Sequence, residues 1–257
     1  MRPKDLKRVL FIDIETVATF SSYDDLSTDM QKHWKHKSSY IKTDNTYTDE
    51  TDRARQLYLD KAGIYAEFAK VVCISAGLLS TKGDEIDKLR LRSFYGHDES
   101  VILKTFADVL NKHFNRTNRF FLCGHNLREF DVPFLCRRML LNGIKLPALL
   151  NIPGKRPWQT PHLIDTLEYW KFGDYKNYSS LDLLTSIFGL PTPKDDLDGS
   201  LVGEAYYIRD DLKAIVEYCE KDVVSVIQLY FKFKGYPLLN KEQIISTTNF
   251  ILGDEEE

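Results

Sequence analysis

Short apolar runs and longer amphipathic stretches alternate along the chain. Continuous apolar runs at residues 8–14 (RVLFIDI), 71–79 and 119–123 are typical of strands buried on both faces. Residues 88–96 instead alternate apolar with basic side chains after the turn-rich segment STKGDE, which predicts a half-exposed strand hairpinned onto its predecessor. These patterns predict a sheet.

Apolar residues at helical spacing predict helices over residues 97–114, 131–143 and 210–235. Ser179 and Asp182, three residues apart, resemble a capping box at the start of another helix. Strands mixed with helices and then followed mostly by helices indicate an α/β fold, with a mixed central sheet flanked by helices.

One segment departs from this rhythm. Residues 19–70 are polar, charged and rich in Tyr, and we interpret them as a partly helical elaboration inserted between the first two strands. The remaining pattern predicts a single domain over residues 1–240. A C-terminal extension over residues 241–257 is expected to end in the solvated acidic tail GDEEE.

Composition excludes several classes of protein. A formal net charge of −3 argues against a generally basic nucleic-acid coat but leaves room for a local basic groove. The four cysteines form no CxxC pair, so zinc ribbons and redox motifs have no support, and a reduced, cytoplasmic protein is expected. The first apolar run is short and already carries Asp13, unlike a signal peptide, and no stretch approaches membrane-spanning length.

The first predicted strand carries two acids where it is expected to end. Asp13 and Glu15 are two positions apart, so a strand places both on the same face. Two unpaired anions there would repel each other and resist desolvation, so a positive group must sit between them. Alone, the pair is a weak signal, because most such pairs are solvated or capping residues.

Two later acids complete a set. Asp131 begins the helix after GHNLREF, just past a predicted buried strand. Asp222 lies within the last long helix, and Tyr218 lies four residues earlier and hence on the same helical face. A Tyr and an Asp one turn apart are more often a structural hydrogen bond than a catalytic pair, so it is the order of the whole set that carries information.

That order resembles the DEDD superfamily of 3′–5′ exonucleases, which have a ribonuclease-H-like fold, over most of residues 7–233. Glu217 stands where the histidine branch has its His, whereas Tyr218 fits the tyrosine branch (DEDDy). Within that branch the chain is similar to the exonuclease domain of family-B DNA polymerases, a likeness to which YSSLDLLTSIFGLPTPK contributes. It is identified as a member of the stand-alone predicted exonucleases related to that domain.

The resemblance implies a role for each residue of the set. Asp13, Glu15, Asp131 and Asp222 would be the ligands of two Mg²⁺ or Mn²⁺ ions, with Asp13 bridging them, and Tyr218 would orient the nucleophilic water. The implied substrate is the 3′ end of single-stranded nucleic acid, DNA before RNA, hydrolysed by a two-metal mechanism. Such a mechanism needs hard oxygen ligands and two ions roughly 4 Å apart, which serve the entering and leaving oxygens.

Residues beside these acids have two interpretations each. The family pattern implies that Thr16 and Asn126 contact the substrate; alternatively, Thr16 simply ends a strand, and Asn126 is a turn residue bonded to its own backbone. Residues 128–176 interleave basic and aromatic side chains that could bind phosphates and stack on a single strand, or form a solvated loop.

Two rival functions stay open from the sequence. The first is a non-catalytic nucleic-acid-binding or scaffold protein that has kept the same fold, although the complete set of acids argues against it. The second is an endonuclease or a transferase on that fold, which would not depend on a free 3′ end. The sequence names no protein partner.

Overall fold

A computed structural model describes residues 2–174, 176, 178–190 and 197–250 of the chain. The predicted acidic tail and the end of the segment YSSLDLLTSIFGLPTPK lie outside these residues. Six strands form one sheet within the described ranges: β1 (Val9–Ala18), β2 (Ala69–Lys82), β3 (Glu85–Tyr95), β4 (Phe121–Gly124), β5 (Leu163–Asp165) and β6 (Ile244–Ser246).

The sheet is mixed, in the order β5-β4-β1-β2-β3-β6. Strands β1, β2 and β3 form an antiparallel meander, whereas β4 is parallel to β1, β5 to β4, and β6 to β3. The strands β1 to β4 were all predicted. The sequence pattern does not predict β5 and β6, which have three residues each and carry too little periodicity to be recognised.

The described residues also form α-helices, of which several were predicted. In chain order they are α1 (Thr28–Ser38), α2 (Glu50–Lys61), α3 (Glu99–His113), α4 (Asp131–Leu141), α5 (Thr166–Lys171), α6 (Leu181–Ile187), α7 (Val202–Tyr207) and α8 (Leu212–Lys234). The capping prediction for α6 was wrong by one residue. Ser180 accepts the backbone N–H of Leu183, while the Ser179 hydroxyl accepts a hydrogen bond from Trp170.

Helices cover both faces of the sheet. On one face α3 and α4 bury side chains such as Phe106 and Leu135, and on the other α8 buries Val223 and Ile227. This arrangement is the α/β architecture with a mixed sheet that the sequence predicted. No helix among the described residues has both the length and the apolar content to cross a membrane.

The segment between β1 and β2 contains α1 and α2 with its own small core. Trp34 is fully buried there against Tyr58, and its indole N–H donates to the Ala54 carbonyl at 2.8 Å. The partly helical character predicted for residues 19–70 is therefore present, and the end of this segment returns towards the middle of β1.

A buried ion pair connects helices α3 and α4 to strand β2. Arg138 of α4 contacts Glu99 of α3 at 2.6 Å, and Glu99 also accepts the backbone N–H of Val71 in β2 at 2.7 Å. Breaking such a pair from one side leaves an uncompensated buried charge, so Glu99 and Arg138 hold the fold together.

Candidate functional site

The alternation of side chains along β1 directs its two acids towards α8. Leu10, Ile12 and Ile14 enter the core beneath α3 and α4, whereas Val9 and Phe11 pack in the α8 core. Asp13 and Glu15 continue the second series, as the period of two requires. Both carboxylates therefore lie between the sheet and the last long helix.

The strand continues past its acids. β1 pairs with β2 as far as Ala18, with a register shift after Glu15, so the expectation that the strand ends there was wrong. Its pairing with β4 stops at Phe11. The acids are thus held by a continuous antiparallel ladder on one side, and they lie beyond the last β4 pair on the other side.

Helix α8 approaches the sheet closely at this point. A Cβ on Gly77, which pairs with Phe11, would lie 2.8 Å from a methyl group of Val223, so only glycine allows this crossing. The neighbouring turn of α8 presents Tyr218, Cys219 and Asp222. Cys219 Sγ lies 3.4 Å from the Asp13 carbonyl oxygen and 3.5 Å from its carboxylate Oδ2.

Asp131 reaches the same region from the opposite side. It is the first residue of α4 and is 3% exposed, and its carboxylate lies near its own backbone N–H and that of Ile14 in β1, both of which lower its pKa. Burial raises the pKa of Asp131 to about 8 in spite of these two N–H groups. A carboxyl with that pKa is poised to exchange its proton for a cation near neutral pH.

The four carboxylates repel one another. The pKa of Asp13 lies well above its usual range, first because of burial and then because of Asp222, Asp131 and Glu15. The pKa of Glu15 is raised for the same reasons, with burial first and Asp222 next. The acids therefore converge closely enough to interact, which the sequence alone could not establish.

Glu15 is the clearest sign that a cation belongs here. Its side chain is 8% exposed, and the described residues give its carboxylate no hydrogen bond and no ion pair. A buried charge without a partner costs several kcal/mol, so native proteins pair it or place it on a metal. The donor set of carboxylate oxygens fits Mg²⁺ or Mn²⁺.

The tightest group of candidate ligand atoms includes a thiol. One atom each from Asp13, Glu15 and Cys219 lie within 4.8 Å of one another. Cys219 was not predicted as part of the site, although it lies three residues before Asp222 and so shares its helical face. Cys219 has a raised pKa because it is buried and close to Cys73, Asp13 and Glu15.

Tyr218 belongs to the same turn of α8. Its hydroxyl lies near the Asp222 carboxylate, and burial together with Asp222 and Glu15 raises the pKa of the phenol far above its usual value. The phenol therefore stays protonated at any physiological pH. It can donate a hydrogen bond and orient a small molecule, but it cannot serve as a base.

Two adjoining cavities give access to the acids. The larger has a volume of about 650 Å³ and is lined by Asp13, Tyr218 and Asp222, while the smaller, of about 270 Å³, is lined by Glu15 and Thr16. Gly199 lines both cavities. Ligand sites usually have volumes of roughly 300–1,000 Å³, so the pair can hold a nucleotide-sized molecule.

The inserted segment lines the smaller cavity, which no local sequence pattern predicts. Leu59, Gly63 and Ile64 face Glu15 and Thr16 across it. The Thr16 hydroxyl donates to the Gly63 carbonyl at 2.7 Å. Thr16 therefore connects β1 to the insertion, and its side chain borders the cavity at the same time.

Asn126 has an unusual conformation in the loop after β4. Its φ is +58°, in the left-handed region, and its backbone N–H donates to Asp165 at 2.9 Å. Its side-chain oxygen Oδ1 is buried and has no partner among the described residues. That free acceptor distinguishes Asn126 from a turn residue whose side chain satisfies its own backbone.

His125 and Asp165 support this loop. The His125 ring contacts the Thr166 hydroxyl and the Ser179 carbonyl oxygen, each at 2.9 Å. Asp165 accepts the backbone N–H groups of Asn126 and Arg128, and it also caps α5. Both residues therefore have hydrogen-bonding, structural roles in this loop.

Two basic residues of the 128–176 segment face inwards. The Arg128 guanidinium donates to the Thr160 hydroxyl at 2.8 Å and to the Thr160 carbonyl at 3.0 Å, and Arg138 is paired with Glu99. Trp158, in contrast, is 71% exposed. Exposed aromatic residues such as Trp158 are therefore available for stacking on a single strand. The two arginines, in contrast, bond within the protein and do not support phosphate binding.

The raised pKa of Asp131 predicts the pH dependence of stability without metal. In the folded protein Asp131 titrates at about 8, whereas in the unfolded chain it should titrate near 4. Between these values the folded state holds a proton that the unfolded state has lost, so stability should fall as the pH rises from about 4 to about 8.

This dependence can be measured by thermal unfolding in EDTA. The decline with pH should be shallower in Asp131→Asn, whose side chain does not titrate. Mn²⁺ should raise Tm more at about pH 8 than at about pH 6, because it replaces protons on the acids. A decline of equal slope in wild type and Asp131→Asn would contradict the assignment to this group.

Comparisons with known proteins agree with this geometry. A family model described as "Predicted 3'-5' exonuclease related to the exonuclease domain of PolB" matches residues 64–242. That match includes Asp131, Tyr218 and Asp222 but not the acids of β1. A comparison with curated protein sequences finds no match.

A solved structure with a related fold is the family B DNA polymerase from the hyperthermophilic archaeon Pyrobaculum calidifontis. The TM-score is 0.50 and the sequence identity is 18%, over 88% of this chain and 24% of the polymerase. The chain thus spans about a quarter of that polymerase's length. At this identity the likeness shows a shared fold, the ribonuclease-H-like fold that the sequence resemblance implied.

Proposed function

The chain belongs to the family of predicted 3′–5′ exonucleases related to the exonuclease domain of PolB, and from this premise we propose that it is an active, metal-dependent nuclease. Its substrate is the 3′ end of single-stranded nucleic acid, with DNA as the first candidate, and its products are nucleoside 5′-monophosphates. The observation that carries the proposal is the buried Glu15 carboxylate, which has no hydrogen-bond or ion-pair partner among the described residues and lies beside three further acids.

The same observation weighs against a scaffold that has only kept the fold. A protein that never binds a cation gains nothing from four carboxylates that raise one another's pKa. Replacement of one acid by an apolar residue would stabilise such a scaffold, because burying an unpaired charge is unfavourable. A functional site is the physical reason to retain such a cluster.

We assign the metal ligands to Asp13, Glu15, Asp131 and Asp222. When bound, two divalent cations supply the positive charge that the attacking water, the scissile phosphate and the leaving 3′ oxygen require. Asp13 interacts with all three other acids, which supports a central place for it among the residues that would hold the ions. The antiparallel ladder of β1 and the close packing of α8 hold these oxygens in place before substrate binds.

The side chain of Tyr218 orients the attacking water. Its protonated hydroxyl lies against Asp222 and lines the larger cavity, so it can exchange this contact for one with water. Asn126 and Thr16 are the proposed substrate contacts. The buried, unpartnered Oδ1 of Asn126 supports the first, and the position of Thr16 on the smaller cavity supports the second.

A reducing, cytoplasmic location is part of the proposal. Support comes from the four cysteines, all of which are free thiols, with Cys73, Cys123 and Cys219 fully buried. Proteins of oxidising compartments generally pair such residues.

Digestion of end-labelled oligonucleotides tests the proposal. A 5′-labelled single strand should shorten stepwise with Mg²⁺ or Mn²⁺ and stay intact in EDTA. The same strand with a blocked 3′ end should resist, because an exonuclease of this polarity starts there. Matched DNA and RNA strands identify the sugar that the site accepts. Internal cleavage of the blocked strand would support the endonuclease rival, and no cleavage of any strand would contradict the proposal.

Tyr218→Phe should slow digestion by about 10- to 100-fold without abolishing it. The change removes one hydroxyl that orients water, whereas the carboxylates stay in place. The expected loss is in kcat, measured with excess substrate at saturating Mn²⁺, with KM nearly unchanged. Tyr206→Phe is the control, because Tyr206 lies on α7 and bonds to His97 and Lys70. Equal losses in both variants would contradict the role of Tyr218.

A further inference from the structure

A thiol lies inside the acidic cluster, and it has no role in the proposed reaction. Cys219 is fully buried, and its Sγ is 3.5 Å from Asp13 Oδ2. One atom each from Asp13, Glu15 and Cys219 lie within 4.8 Å of one another, which is compact enough for a single ion to contact all three after small side-chain adjustments. The cluster is therefore a mixed oxygen and sulfur donor set.

Two further features point to a ligand at this set. Glu15 is more than nine-tenths buried, faces Cys219, and has no partner in the described part of the chain. Cys73 lies directly opposite Glu15 on β2 and is close enough to Cys219 to raise its pKa, so a second thiol lies near the first. The Asp13 side chain borders the larger cavity, which provides a path for an ion from solvent.

We infer that this set binds thiophilic divalent cations of the zinc class, with Cys219 as the sulfur ligand and Asp13 and Glu15 as the oxygen ligands. The inference rests on the proposed function, since it shares two carboxylates with the proposed catalytic metals. Thiolate ligands favour Zn²⁺ and Cd²⁺, whereas carboxylates alone suit Mg²⁺ and Mn²⁺. On binding, the Cys219 thiol releases its proton to solvent, and the thiolate coordinates the ion.

Occupation by such an ion has a functional consequence. A Zn²⁺ ion held by Asp13 and Glu15 takes ligands away from Mg²⁺ and commits them to a different coordination set. The nuclease should therefore be inhibited by Zn²⁺ at concentrations well below that of Mg²⁺. The inhibition should be relieved by a chelator, because no covalent bond is made.

Cadmium binding tests the inference with a readout that does not depend on activity. Metal-free full-length protein is titrated with Cd²⁺, and the ultraviolet charge-transfer absorption from thiolate to cadmium is followed. Wild type should develop this absorption, and added Mn²⁺ should compete with it. Cys219→Ser should lose the absorption and bind Cd²⁺ on the order of 100-fold more weakly, since loss of a group that merely supports a ligand already costs roughly 10–100-fold.

Cys136→Ser is the matched control. Cys136 lies on α4, outside the cluster, and its thiol donates to the Leu150 carbonyl oxygen. This variant should bind Cd²⁺ like wild type. Because Mn²⁺ prefers oxygen ligands, Mn²⁺ binding by Cys219→Ser reports that the site is folded.

Absorption that persists in Cys219→Ser, or that never appears in wild type, would overturn the inference. Loss of the absorption in Cys73→Ser but not in Cys219→Ser would show that Cys73 is the sulfur ligand. That result would overturn the inference as well. If wild type digests the 3′ end with Mg²⁺ but shows no cadmium–thiolate absorption, only this inference fails. If wild type neither binds Mn²⁺ nor digests any strand, the proposed function fails.

Discussion

Replacement of Asp13 by Ala is expected to lower kcat by at least on the order of 10³-fold, equivalent to about 4 kcal/mol of transition-state stabilisation. The reason is the position of Asp13 among the acids. Its carboxylate interacts with those of Asp222, Asp131 and Glu15, so its removal takes away the group that can bridge two ions. Single-turnover digestion of a 5′-labelled strand at saturating Mn²⁺ measures the loss.

Asp108→Ala provides the comparison. Asp108 is an exposed acid on α3, away from the cluster, and its removal should leave kcat unchanged. The Asp13→Ala protein should remain folded, because the substitution removes a carboxylate that neighbouring acids repel and removes no hydrophobic contact. A folded Asp13→Ala protein with wild-type activity would exclude Asp13 from the reaction.

Glu15→Gln should have opposite effects on stability and on activity. Without metal, the substitution removes a buried, repelled carboxylate and should stabilise the fold by about 1–2 kcal/mol, or roughly 2–8 °C in Tm. With metal, it removes a ligand and should lower activity by on the order of 10²-fold or more. Thermal unfolding in EDTA, together with the end-labelled assay, measures both.

Glu99→Gln is a stringent control for this effect. Glu99 and Glu15 are both 8% exposed, but Glu99 is paired with Arg138. Its substitution leaves the arginine without its counter-ion and should destabilise the protein by about 3 kcal/mol. Glu→Gln substitutions at two buried glutamates of equal exposure are thus expected to change the stability of the metal-free protein in opposite directions. Destabilisation of Glu15→Gln in EDTA by a similar amount would indicate that Glu15 has a protein partner.

The parts of the fold that the sequence predicted depend on local periodicity. β1 to β4 carry unbroken or alternating apolar runs, and α3, α4 and α8 carry several turns of helical spacing. β5 and β6 form because they pair with neighbouring strands, and their own sequences carry no pattern that predicts them. The true end of β1 at Ala18 likewise depends on its pairing with β2.

The candidate site was partly predictable for a similar reason. The period of two in β1 predicts that the side chains of Asp13 and Glu15 lie on the same face of the strand. The helical turn in α8 likewise places Tyr218 and Asp222 on the same face of the helix. Cys219 was missed because its contact with Asp13 spans two distant elements. The contribution of the insertion, such as Gly63 at Thr16, depends on how a chain of more than forty residues returns to β1, which no local pattern encodes.

Crystals of the full chain soaked with Mn²⁺, with data collected at the manganese absorption edge, test the central claim most directly. The account predicts two anomalous peaks about 4 Å apart, coordinated by oxygens of Asp13, Glu15, Asp131 and Asp222. Carboxylates that stay out of common reach, or manganese bound only elsewhere on the molecule, would contradict it.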